Sequence, residues 1–160
     1  SISACRRSSC STWTTAAVDV RHDPLIAAAR ACCRQSHSPY SGVRVGAAIR
    51  AASGAVYVGT NVENAAYPLG NCAETSAIAA GVQSEGAGFR IAGIAVWATD
   101  PDGRTLACSP CGGCRQRIRE FATSGAVPIH FPWQADKIRT VTIDELLPFA
   151  FSLPSIQPPR

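Results

Sequence analysis

Three cysteines and one glutamate stand at spacings from which metal-assisted hydrolysis can be built. Cys111 and Cys114 are separated by Gly112-Gly113. Two thiols so spaced converge on one tetrahedral ion where a loop turns into a helix. Pro110 precedes them, as it would at a helix start. Cys72 is the best third ligand, because Cys72-Ala73-Glu74 opens another alanine-rich helical stretch. Helix N-termini favour thiolates, which lowers cysteine pKa values and readies the sulfurs for Zn²⁺. Three thiolates leave the ion's fourth position to water if the site is catalytic, and to a protein ligand if it is structural. Glu74, in the first turn two residues past a ligand, is placed to lean over such a water and move its proton. Standing alone, Glu74 reads as an acid that complements a helix dipole. Cys108 is the alternative fourth ligand, but it lies upstream of Pro110 and reads better as the end of a strand.

These residues need two helix starts held beside a sheet. Asp23-Pro24 predicts an N-cap and first helical residue, with the helix running to Gln35. Ser38-Pro39-Tyr40-Ser41-Gly42 breaks it. Val43 to Ile49 and Ala55 to Gly59 predict a hairpin about a Ser53-Gly54 turn. Cys72 to Val82 predicts a helix, with Ile78 and Val82 on one side, ended by Gly86 and Gly88. Ile91 to Ala98 predicts an apolar strand, Cys111 to Phe121 a helix, Val127 to Phe131 a strand, and Ile143 to Leu147 a short helix stopped by Pro148. Helix–strand alternation after a hairpin predicts an α/β fold, a three-layer α/β/α sandwich with crossover helices covering the sheet.

Composition narrows the function class. The chain has 160 residues, room for one domain and a sizeable core. Hydrophobic residues make up 46% and charged residues 16%, a globular composition. The net charge is +4, from 15 basic residues (14 Arg, with Lys137 the exception) against 11 acids. That excess is mild and dispersed, which excludes an arginine-tail nucleic-acid binder. No run of 18 apolar residues exists to span a membrane. Residues 1–21 lack an apolar signal core and read as an N-terminal extension, with Cys5 and Cys10 unassigned. A reducing cytoplasm is therefore the expected location, where eight cysteines are thiols rather than four disulfides. Cys32 and Cys33 read as small core residues, and Trp97 as core or interface. His22, His37 and His130 lack ligand spacing. Arg115, Arg117 and Arg119 read as solvated or intersubunit charges.

A Cys or His ligand followed two residues later by Glu, then Pro-Cys-x-x-Cys, is the signature of zinc nucleobase deaminases. The chain resembles the small, homotetrameric, all-cysteine class of cytidine deaminases. The resemblance covers roughly residues 22–151, leaving 152–160 as a tail. It rests on Ser38-Pro39-Tyr40-Ser41 with Val45-Gly46-Ala47-Ala48, on Asn61-Val62-Glu63-Asn64-Ala65-Ala66-Tyr67, on Cys72-Ala73-Glu74, on Pro110-Cys111-Gly112-Gly113-Cys114-Arg115-Gln116, and on Glu145-Leu146-Leu147-Pro148-Phe149-Ala150-Phe151. It implies a mixed five-stranded sheet, one Zn²⁺ per subunit on Cys72, Cys111 and Cys114, and Glu74 as proton shuttle. The implied reaction is hydrolysis of the cyclic amidine C–N bond of cytidine and 2′-deoxycytidine, a pyrimidine-salvage step. It also implies that Asn61 and Glu63 hold the ribose hydroxyls, so that free nucleoside fits and polynucleotide does not. Tyr67 and Phe151 would complete sites across subunits of a homotetramer. Two positions depart from the family pattern. Thr75 stands where all-cysteine members often carry a charge-compensating Arg, so its hydroxyl or another group such as Arg115 must substitute. Val43 stands where an aromatic often meets the base. A modified cytosine nucleoside, such as a blasticidin-type antibiotic, is the alternative substrate, and a structural zinc module is the alternative of another class.

Overall fold

The computed structural model describes residues 23–134 and 137–153. Cys5, Cys10, His22 and the expected N-terminal extension lie outside the described residues. The first helix, α1 (Pro24–Cys33), starts where the sequence predicts. The Asp23 carboxylate accepts the Leu25 N–H at 2.8 Å, and Pro24 costs no hydrogen bond in the first turn. The hairpin strands are β1 (Arg44–Ala51) and β2 (Val56–Thr60). Then follow α2 (Ala73–Glu85), β3 (Ile91–Thr99), α3 (Gly112–Phe121), β4 (Pro128–Gln134), β5 (Lys137–Thr142) and α4 (Ile143–Leu146). A capping box closes the start of α4. Thr142 Oγ1 accepts the Glu145 N–H at 3.2 Å, and the Glu145 carboxylate accepts the Thr142 N–H at 2.6 Å.

The sheet is mixed and five-stranded, in the order β2-β1-β3-β4-β5. β1 is antiparallel to β2 and β3, β3 is parallel to β4, and β5 returns antiparallel to β4. β5 is the element that the residue pattern did not predict. Lys137 and Arg139 are exposed and alternate with half-buried Ile138, Thr140 and Val141, so this edge strand lacks an apolar run. Charges on an edge strand also oppose pairing with another chain.

The period-two alternation of β1 and β3 divides the core between two faces. Ala47, Ile49, Ile94 and Val96 face α2 and α3 and pack with Ala77, Ile78 and Ile118. Ala48 and Ala95 face the other way, against Leu25, Ile26 and Ala29 of α1. The result is the expected three-layer α/β/α sandwich. Two glycines let the helices close on the sheet. A Cβ at Gly46 would collide with the α1 backbone at Ala29 O. One at Gly59 would collide with the α2 backbone at Ala77 N and Ala73 O. Cys32 and Cys33, the last two residues of α1, are buried against the sheet, as their core reading required. Their sulfurs lie against the carbonyls of Gly59 and Arg44, at 3.5 and 3.2 Å.

Candidate functional site

The site is built where α2 and α3 begin. Cys72 caps α2 in extended conformation, with no side-chain bond to the helix, so its thiol is free to point elsewhere. Cys111 does the same for α3, and Cys114 follows one turn later, fully buried. The three sulfurs lie within 4.8 Å of one another. A single ion with bonds of about 2.3 Å can bridge that separation. Three converging thiols at two helix N-termini are a donor set that fits Zn²⁺. The Cys72 thiol is pulled down to about 6, first by a hydrogen bond from Cys114 and further by Cys111 and Arg117. The same bond holds the proton on Cys114, which is pushed up. A metal that binds the three sulfurs would displace the protons they still carry.

Cys108 is not part of this cluster. Burial and the neighbouring Glu74 push its thiol up to about 11. Among the described residues the convergent cluster holds three thiols and not a fourth. Neither His37 nor His130 joins the sulfurs. Trp97 lies outside the site, under the Arg30 guanidinium at 5.2 Å.

Glu74 is only 5% exposed, in the first turn of α2. Burial raises its carboxyl above the ordinary carboxylate value, with its own N–H, Cys114 and Arg117 opposing. It lines a cavity of about 550 Å³ together with Cys72 and Cys111, within the range of small-molecule sites. Asn61, Glu63 and Tyr67 also line it. Asn61 Oδ1 accepts the Val45 N–H at 2.8 Å and its amide donates to Val43 O at 3.0 Å, so it pins the entry to β1. Glu63 accepts the Tyr40 N–H at 2.9 Å, the Ser41 N–H at 3.2 Å and the Ser41 hydroxyl. Those bonds, the hydroxyl first, hold its carboxyl below the ordinary value, so it is an anion.

One expected contact lies elsewhere: Val43 does not line the cavity, and its carbonyl faces Asn61. Phe151, expected at a neighbouring subunit's site, is 69% exposed, with its backbone paired to the Gln116 amide at 2.8 and 3.2 Å. Tyr67 lines the cavity but is 77% exposed, packed edge-on against Tyr40.

Two residues do more than their pattern indicated. Ser41 fixes the Glu63 carboxylate, which only its place in a family-like stretch hinted at. Arg115 braces the Cys111 loop: its guanidinium donates to Pro110 O at 2.8 Å, Leu146 O at 3.1 Å and Ser109 Oγ at 3.3 Å. It is a strut between α3 and α4 rather than a solvated charge.

Comparison with known proteins agrees with this geometry. The profile of the cytidine and deoxycytidylate deaminase zinc-binding region matches residues 4–129. A cytidine deaminase of Sporosarcina psychrophila is 38% identical over 130 residues, covering 81% of this chain and 90% of that protein. One from Mycobacterium tuberculosis is 35% identical over 135 residues, covering 84% and 92%. The crystal structure of cytidine deaminase from Burkholderia pseudomallei superposes with a TM-score of 0.69 at 34% identity, covering 81% of this chain and 98% of that one. With the convergent thiols, the buried acid and the sheet all agreeing with these matches, this chain belongs to the zinc-binding cytidine and deoxycytidylate deaminase family.

Proposed function

We propose that the protein hydrolyses cytidine and 2′-deoxycytidine to uridine and 2′-deoxyuridine with release of ammonia. The observation that carries this reading is Glu74, buried beside three convergent thiols at the wall of a nucleoside-sized cavity. Cys72, Cys111 and Cys114 would hold Zn²⁺, which would supply the Lewis acidity that makes water nucleophilic at neutral pH. Glu74 would take one proton from the water that attacks C4 of the cytosine and give it to ring N3, then take the second proton from the hydroxyl now on C4 and give it to the departing amino group, so the water's oxygen ends as the C4 carbonyl and the nitrogen leaves as ammonia. A carboxylate in a dry pocket suits both halves of that task, because its proton affinity is raised towards the working pH.

Asn61 and Glu63 orient the nucleoside through its sugar hydroxyls. A charged carboxylate held by three donors is a fixed acceptor for a hydroxyl proton. A sugar hydroxyl gripped there has no room for a following phosphate, which favours free nucleosides over polynucleotides. The catalytic domain is read as residues 22–151, with an extension before it and a tail after it, working in the cytoplasm. Exposed Tyr67, Leu69, Phe149 and Phe151 are apolar surface suited to partner subunits, which supports a homotetramer. No helix among the described residues is long and apolar enough to cross a membrane.

Ammonia release from cytidine by zinc-loaded protein tests the reading, and absence of turnover would remove it. Glu74→Gln keeps the metal ligands and the volume but cannot shuttle protons. Its kcat is expected to fall by about 10²–10⁴ with one zinc per chain retained. An unimpaired rate would take the role from Glu74.

A further inference from the structure

The Glu63 carboxylate has about four positions at which a proton donor can sit, shared between its two oxygens. Three are already filled from within the chain. Oε2 accepts the Tyr40 N–H at 2.9 Å and the Ser41 N–H at 3.2 Å, and Oε1 accepts the Ser41 hydroxyl. The turn that supplies all three donors is closed by Gly42. Its N–H donates to Ser38 O at 3.0 Å, and its φ of 69° lies in the left-handed region that favours glycine. The direction of the Ser41 hydroxyl is fixed as well. Its oxygen accepts the Val43 N–H at 3.0 Å, so its proton is left for Glu63. The Val43 carbonyl in turn takes the Asn61 amide at 3.0 Å. Ser41 therefore joins both members of the Asn61–Glu63 pair, and it lines the same cavity as they do.

We propose that Ser41 is a specificity-determining positioning residue: its hydroxyl leaves Glu63 one open acceptor position, on Oε1, so that the Asn61–Glu63 pair grips a single sugar hydroxyl. This rests on the reading of the protein as a deaminase of cytosine nucleosides. The Asn61 amide keeps one donor and one acceptor position after its bonds to Val43 and Val45. One free acceptor on Glu63 and one free donor on Asn61 match one hydroxyl, which gives its proton to the first and receives the second on its oxygen. Without the Ser41 hydroxyl, Oε1 has a second open position, where water competes, and that oxygen is no longer tied. Ser41 acts through Glu63 on the sugar and not on the cytosine ring, so its effect belongs to binding rather than to the chemical step.

The test is steady-state deamination by the zinc-loaded full chain as wild type, Ser41→Ala and Ser41→Thr. The substrates are cytidine, 2′-deoxycytidine and 2′,3′-dideoxycytidine, whose sugar ring carries no hydroxyl. Ser41→Ala should raise KM about tenfold for the first two, with kcat within about twofold of the wild type. On dideoxycytidine, which brings no ring hydroxyl to the pair, its kcat/KM should stay within about twofold of the wild type. Ser41→Thr keeps the hydroxyl, and its KM for cytidine should lie within about threefold of the wild type. An unchanged KM for cytidine in Ser41→Ala would overturn the proposal. So would an equal loss on dideoxycytidine, a fall in kcat without a rise in KM, or a Thr variant as impaired as the Ala variant. A wild type that uses dideoxycytidine as well as cytidine would instead remove the Asn61–Glu63 grip. One that turns over none of the three would remove the deaminase reading. Either result takes the proposal with it.

Discussion

The Asn61 side chain is committed at both ends. One amide oxygen holds the Val45 N–H and one amide hydrogen holds Val43 O, at 2.8 and 3.0 Å. An amide has two donors and two acceptor sites, so one of each remains for the cavity. Asn61→Ala should therefore do two separable things. It removes a nucleoside contact, raising KM by about tenfold while zinc content stays at one per chain. It also strands two backbone groups at the start of β1, costing about 1–3 kcal/mol in chemical denaturation. A raised KM with unchanged stability would mean that the loop finds other partners; an unchanged KM would deny Asn61 a part in binding. At this scale the convergent thiols were legible because Cys72, Cys111 and Cys114 each sit next to a local signal, a helix start. Ser41 and Arg115 were not legible, because their partners lie 22 and 31 residues away and nothing local announces them. The resemblance places Phe151 at a neighbouring subunit's site; within this chain its backbone is tied to Gln116 and its ring is exposed.

At the scale of elements, α2 must approach β2 closely enough to bring Cys72 beside Cys111, and Gly59 allows it. Gly59→Ala would drive a Cβ into the backbone of α2 at Ala77 N and Ala73 O, atoms that no rotamer change can move. The helix must lift, and Cys72 and Glu74 sit at its first turn. We expect a loss of about 1–3 kcal/mol in stability together with weaker zinc binding and lower kcat/KM, because one movement causes all three. Native-like stability and activity in that variant would show that α2 has slack. The elements that sequence reasoning placed correctly carry their own punctuation: Asp23-Pro24 before α1, Ser53-Gly54 within the hairpin, Gly86 after α2 and Pro110 before α3. Their ends shifted by up to three residues, as with α2, which runs on to Glu85. β5 escaped because its pairing with β4 defines it more than its own composition does, with Ile129 opposite Val141 and Phe131 opposite Arg139.

For the whole molecule, one polar network centred on a buried histidine joins the start of α1 to β4 and β5. His130 of β4 is 6% exposed. Its Nδ1 pairs with Thr140 Oγ1 at 2.9 Å, and its Nε2 stands 4.0 Å from Asp23. Asp23 also caps α1 and takes the Arg50 guanidinium at 3.3 Å. Burial, with Arg50 nearby, holds the imidazole below its ordinary value of 6.5 despite the opposing pull of Asp23. The unfolded chain therefore binds a proton near 6.5 that the folded chain refuses until the pH is lower. Stability from this group is complete above the unfolded value and is lost as pH falls through the folded one. The thermal midpoint should drop between pH 7 and pH 5, by roughly a few degrees. Carboxylates elsewhere contribute to the same limb, so the informative quantity is a difference. His130→Gln removes the titration, and the gap in midpoint between wild type and variant should narrow as the pH falls. Parallel curves over that range would mean that His130 has the same proton affinity folded and unfolded, and that the Asp23–His130–Arg50 network does not couple folding to pH.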